Sequence, residues 1–171
     1  MRGIVRDVAV LVLATVMGVG VVLAMTADAA RSATPGQCTN DDLTARYRGG
    51  DAATSHVYGR IVLTNTSDSP CWVKGYGGLS YVGHGDGTQI GAAADRTGSR
   101  RPKTVLRPGD KVRSRVVETS TGPYPTKECK PRKVDGFRVY LPDETRSRFI
   151  AHETTGCANS AIHLRRHTAY R

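Results

Sequence analysis

From Val57 to Thr64 the chain alternates: Val57, Gly59, Ile61 and Leu63 share one parity, Tyr58, Arg60, Val62 and Thr64 the other. A period of two marks a half-buried strand, and Asn65-Thr66-Ser67-Asp68-Ser69-Pro70 ends it in a loop. Similar short runs recur at Cys71 to Val73, Leu79 to Val82, Gln89-Ile90, Thr104 to Leu106, Lys111 to Glu118, Phe137 to Leu141, Arg148 to His152 and Ala161 to Leu164. Together they amount to about eight short strands at roughly 8–12-residue spacing, with turns at Gly83-His84-Gly85-Asp86-Gly87 and Pro108-Gly109. Beyond the first 29 residues no stretch keeps helical periodicity over three turns, and the one expected departure is a short helical turn over Asp41 to Tyr47. The pattern predicts an all-β domain, a sandwich or barrel.

Residues 1–29 follow other rules. Arg2 and Arg6 precede an uncharged stretch from Val8 to Met25, and Ala27-Asp28-Ala29 follows with small residues at both positions that a cleavage site needs. This is expected to be a signal peptide. The stretch is 18 residues long, enough to span a bilayer, so an uncleaved N-terminal anchor is the alternative, and the only expected contact with a membrane. Either way the remainder is exported: residues 30–36 as a linker, 37–165 as the sandwich domain and 166–171 as a basic C-terminal tail. The four cysteines, Cys38, Cys71, Cys129 and Cys157, lie beyond the leader and form no C-x-x-C pair. An even number, widely spaced, reads as two disulfides rather than a zinc site.

The chain has 171 residues, with 25 Lys plus Arg against 15 Asp plus Glu, a net charge of +10. One domain fits this length. Eight basic residues lie between Arg96 and Arg115, against Asp110 alone. In the strand predicted there, Lys111, Arg113 and Arg115 share one face and Val112 and Val116 the other. With Arg100, Arg101 and Lys103 they form a candidate polyanion-binding stripe, the alternative being a solvated face that maintains solubility. The export signal and the lack of aromatic residues among these cations argue against nucleic acid.

Catalytic patterns fail on inspection. Gly78-Leu79-Ser80-Tyr81-Val82 lacks the final glycine of a nucleophile elbow, and the Gly83 to Gly87 cluster has Thr88 where a dinucleotide loop needs its third glycine. Asp86-Gly87-Thr88 lacks the alternating ligands of a calcium loop. Of five histidines only His163 and His167 have metal-ligand spacing, with Arg165 and Arg166 between them, so solvated histidines are expected. The expectation is no enzyme, no cofactor and no metal.

Cys38, the run Arg60-Ile61-Val62-Leu63-Thr64-Asn65-Thr66-Ser67 leading to Pro70-Cys71, Gly75-Tyr76-Gly77-Gly78, Leu106-Arg107-Pro108-Gly109, Cys129, Arg138 to Pro142 and Cys157 together resemble an exported actinobacterial family known as domain of unknown function 4232. The resemblance implies a β-sandwich, export to the cell surface or medium, and no established activity; it carries no catalytic residue over. Trp72, Gly77 and Leu141-Pro142 depart from the pattern in its turns. The resulting expectation is an immunoglobulin-like β-sandwich. Of the three connectivities open to four cysteines, nearest-in-sequence pairing gives Cys38 to Cys71 and Cys129 to Cys157, and the resemblance points the same way. The chain-entropy model puts about 3.5–4 kcal/mol on each as an upper bound. The expected function is a secreted or cell-surface binding module whose partner is an anionic envelope polymer or another extracellular protein. The alternative is a secreted protease inhibitor using Lys127 and Lys130 beside Cys129 in the segment Pro123 to Lys133.

Overall fold

Residues that alternate in sequence alternate in burial. A computed structural model describes residues 34–99 and 102–171; the leader and the expected linker up to residue 33, together with Arg100 and Arg101, lie outside the described residues. Along β9 (Lys111–Thr119) Val112, Ser114, Val116 and Glu118 are buried while Lys111, Arg113 and Arg115 are exposed. β3 (His56–Asn65) likewise turns Ile61 and Leu63 inward. Among the described residues, nine further strands and a short edge strand complete a sandwich, with one helical turn, α1 (Thr126–Cys129).

One sheet has five strands in the order β2 (Leu43–Ala53), β3, β9, β12 (Arg165–Thr168) and β7 (Asp95–Thr97). The facing sheet runs β11 (Ser147–Cys157), β10 (Pro131–Tyr140), β5 (Gly78–Gly83), β6 (Thr88–Ile90). A third, small sheet orders β1 (Gly36–Gln37), β4 (Cys71–Val73), β8 (Thr104–Leu106). Leu43, Ile61, Leu63, Val112 and Val116 from the first sheet meet Leu79, Tyr81, Val134, Phe137 and Val139 from the second in one core, to which Val73 and Leu106 of the small sheet also belong. This is the two-layer solution by which sheets with one apolar face bury it.

Both disulfides form as expected, Cys38 to Cys71 and Cys129 to Cys157. Each holds the rim of the sandwich. Cys38 joins the start of the domain to β4, and Cys129 ties α1 to the end of β11. Replacing Cys129 and Cys157 together by serine is expected to cost about 2–4 kcal/mol; a urea midpoint unchanged from that of the oxidised protein would contradict it.

Three expectations need correction. In place of the helical turn expected over Asp41 to Tyr47, Asp41 and Asp42 lie in a turn and Leu43 to Tyr47 open β2, because Leu43, Ala45 and Tyr47 face inward and pair with β3. The strand expected over Ala161 to Leu164 begins only at Arg165; Asn159 and Ile162 close a turn there. Residues 166–171 are no tail. Arg166 and His167 pair with Val117 and Val116 of β9, Tyr170 is 3 % exposed within the core, and Arg171 exchanges two backbone hydrogen bonds with Arg113.

Candidate functional site

The pairing of β2, β3 and β9 places residues far apart in sequence in common rows across the outer face. Arg48 stands opposite Arg60, and Arg60 opposite Arg115. The next row is Arg46, Val62, Arg113, and the next Thr44, Thr64, Lys111. Six cations thus share one face, all exposed; five of them, all but Arg115, line a shallow depression of about 490 Å³ together with Val62 and threonines. The nine outward positions of these rows include no carboxylate, and none of the six cations forms an ion pair among the described residues. Like charges directly opposite on neighbouring strands repel. The row of three arginines is therefore electrostatically costly unless anions occupy it.

Of the stripe expected from sequence, Lys111, Arg113 and Arg115 project together from β9. Lys103 does not join them: β8 pairs with β4, which brings Lys103 to the small sheet, its Nζ 4.3 Å from the centre of the Trp72 ring. Arg100 and Arg101 lie outside the described residues. In their place the face gains Arg46, Arg48 and Arg60, which only strand pairing could bring to β9.

Behind this face the sheet carries a polar cluster. Glu118 is 5 % exposed; its carboxylate accepts hydrogen bonds from the Tyr47 hydroxyl at 2.6 Å and from the Tyr81 hydroxyl, and His152 Nε2 lies 2.9 Å away. Tyr47 reaches it by lying across Gly59, where any Cβ would collide with the ring. Phe137 stacks on the His152 imidazole at 4.6 Å. Arg165, directly across the strand pair from Glu118, sets its guanidinium 3.7 Å above the Tyr81 ring and donates to the Ala92 carbonyl. Burial works to raise the Glu118 pKa, but hydrogen bonds from His152, Tyr47 and Tyr81 outweigh it and hold the carboxyl below its usual range. Burial pushes both tyrosine hydroxyls up, with Glu118 adding to the effect. Both carboxylate oxygens already have partners. The cluster fastens the two sheets together through Tyr47 and Glu118 of one and Tyr81 and His152 of the other.

A second polar pair, Ser114 and His167, is buried between β9 and β12. The single hydroxyl proton of Ser114 goes to the Thr168 carbonyl at 2.6 Å, so His167 Nδ1, 3.2 Å away, must donate to Ser114 Oγ. An imidazole protonated at that nitrogen cannot take a proton from Ser114. His167 is 3 % exposed, correcting the expectation of a solvated histidine, and burial followed by the charge of Arg96 lowers its pKa to about 4. His163, by contrast, is exposed and pairs with Asp95 at 2.7 Å. No group of three or more His, Cys, Asp or Glu able to hold a metal occurs among the described residues. Lys127 lies in α1 and Lys130 just beyond it at φ 51°, so Cys129 sits at the end of a helical turn and not in an extended loop. No helix among the described residues is long and apolar enough to cross a membrane.

Residues 38–168 match the model of the family described as Domain of unknown function (DUF4232). No curated protein and no solved structure matches the chain.

Proposed function

The chain belongs to the DUF4232 family, and on that premise we propose that it is an exported, non-catalytic binding module whose basic sheet face holds an anionic polymer. Export is supported by the leader pattern of Arg2, Arg6, the uncharged run Val8 to Met25 and Ala27-Asp28-Ala29, and by two disulfides, which persist in oxidising compartments. The anionic polymer is the kind found in a cell envelope, and an actinobacterial source follows from the family resemblance. One observation carries the binding reading: the row Arg48, Arg60, Arg115, three like charges side by side without a carboxylate among them. A repeating anion laid across the strands relieves that repulsion and releases its own counterions.

Binding to heparin resin tests this. The protein is expected to bind with an affinity that falls linearly with salt on logarithmic axes. The triple variant Arg48→Ser, Arg60→Ser, Arg115→Ser should reduce that slope by about three. These are exposed strand positions, so stability should change by about 0.5 kcal/mol or less. A control variant neutralising Lys127, Lys130 and Arg132, all exposed and away from the face, should leave the slope nearly intact. Equal losses in both variants would mean that net charge alone does the binding.

A further inference from the structure

The Gly75-Tyr76-Gly77-Gly78 run, which plays no part in the basic face, forms one wall of an open cleft of about 640 Å³. That volume lies within the usual range for small-molecule sites, about 300–1,000 Å³. The opposite wall is the end of β10 and the turn after it, from Tyr140 to Thr145. The two walls touch at the floor, where a Cβ on Gly77 would collide with the Tyr140 carbonyl oxygen and one on Gly78 would press on the Tyr140 ring. Only glycine allows this approach.

Above the floor the walls differ in charge. Lys74 and Arg96 stand on one side, the Arg96 guanidinium 5.9 Å from the centre of the Tyr76 ring. Tyr76 is itself fixed, its hydroxyl donating to the Gly98 carbonyl with the Thr97 carbonyl 3.2 Å away. Asp143 and Glu144 stand on the other side; Asn40 donates to Glu144 Oε2 at 3.0 Å and so orients that carboxylate. Two cations therefore face two carboxylates across one cleft. Yet no ion pair among the described residues joins them. Opposite charges held apart over a cleft of this size match a ligand that carries both signs a few atoms apart, which neither a polyanion nor a neutral sugar does.

We propose that the cleft binds a small zwitterion of the amino-acid or short-peptide class, with the ligand carboxylate at Lys74 and Arg96 and its ammonium at Asp143 and Glu144. The site is separate from the basic sheet face, so each stands or falls alone. The test is an amide NMR titration of the purified protein with glycylglycine at millimolar concentration, following the backbone signals of Gly75, Gly77 and Gly78. These signals should move in a saturable way. N-acetylated glycylglycine and glycylglycine amide, each lacking one charge, should bind about tenfold more weakly, the loss expected for one charged hydrogen-bonding partner. Lys74→Ala and Asp143→Asn, both at exposed positions, should weaken glycylglycine to a similar degree while leaving the remaining amide spectrum in place. Three results would overturn the proposal: no movement of the glycine signals, equal binding of the blocked peptides, or movement with N-acetylglucosamine but not with glycylglycine.

Discussion

Replacing Glu118 by alanine is expected to remove about 3–5 kcal/mol of folding stability, the cost of breaking a buried charged cluster by deleting one partner. The loss has several parts. The Tyr47 and Tyr81 hydroxyls would be left without the acceptor they share, at about 1–3 kcal/mol for each that cannot find another. His152 would lose the carboxylate 2.9 Å from its Nε2. Arg165, 3 % exposed and without a partner for Nε or Nη1 among the described residues, would keep its charge with the opposing carboxylate gone. Against a typical stability of about 5–15 kcal/mol this is a large fraction. Glu118→Gln keeps the volume and one carbonyl acceptor, so it should cost roughly half as much. Urea titrations of the three proteins at neutral pH decide the matter; an alanine variant within about 1 kcal/mol of the parent would show that the cluster contributes little.

Acidification should lower the stability of the sandwich over two overlapping pH windows. His167 has a folded pKa of about 4 against 6.5 when unperturbed, because burial, and then Arg96, disfavour the imidazolium. Above pH 6.5 both states are neutral at this position and nothing is lost. As pH falls from 6.5 toward 4 the unfolded chain takes up a proton that the folded one refuses, so stability declines through that window. The separation between the two values corresponds to on the order of 3 kcal/mol. Glu118 acts lower down: its carboxyl is held below the usual range, so its contribution is complete above that range and disappears as pH falls through the folded value. His167→Gln should flatten the upper part of a plot of urea midpoint against pH, and Glu118→Gln the lower part. A midpoint that stays level from pH 7 to about 4.5 in the parent protein would contradict the account of His167.

What could be read from sequence was the part of the fold written in apolar residues. Ile61 and Leu63 on β3, Val112 and Val116 on β9, and Phe137 and Val139 on β10 announce inward faces because they are oily and spaced by two. The polar inward positions carry no such signal. On β12 the buried residues are Arg165 and His167, so a strand looked like a charged tail. β2 offered Leu43, Ala45 and Tyr47 at the correct spacing, but Asp41 and Asp42 ahead of it and Gly49-Gly50 behind obscured the period. Without β2 the pattern also hides Arg46 and Arg48, two of the six cations of the basic face. Lys111, Arg113 and Arg115 were visible because they sit on a single strand; the rows that give them meaning run perpendicular to the chain, and register is set by the whole sheet.

The two sides of β9 do unrelated work. Its outward residues supply half of the cations on the sheet face, while its inward ones place Val112, Val116 and Glu118 in the core. Point changes can therefore tune either role alone, but a change in length cannot. Inserting or deleting one codon near Lys111 would exchange parity along the rest of the strand, sending arginines into the core and valines and Glu118 to the surface. Two codons would restore parity and shift only the rows. The strand should thus tolerate drift in its outward residues while rejecting any odd-numbered change in length.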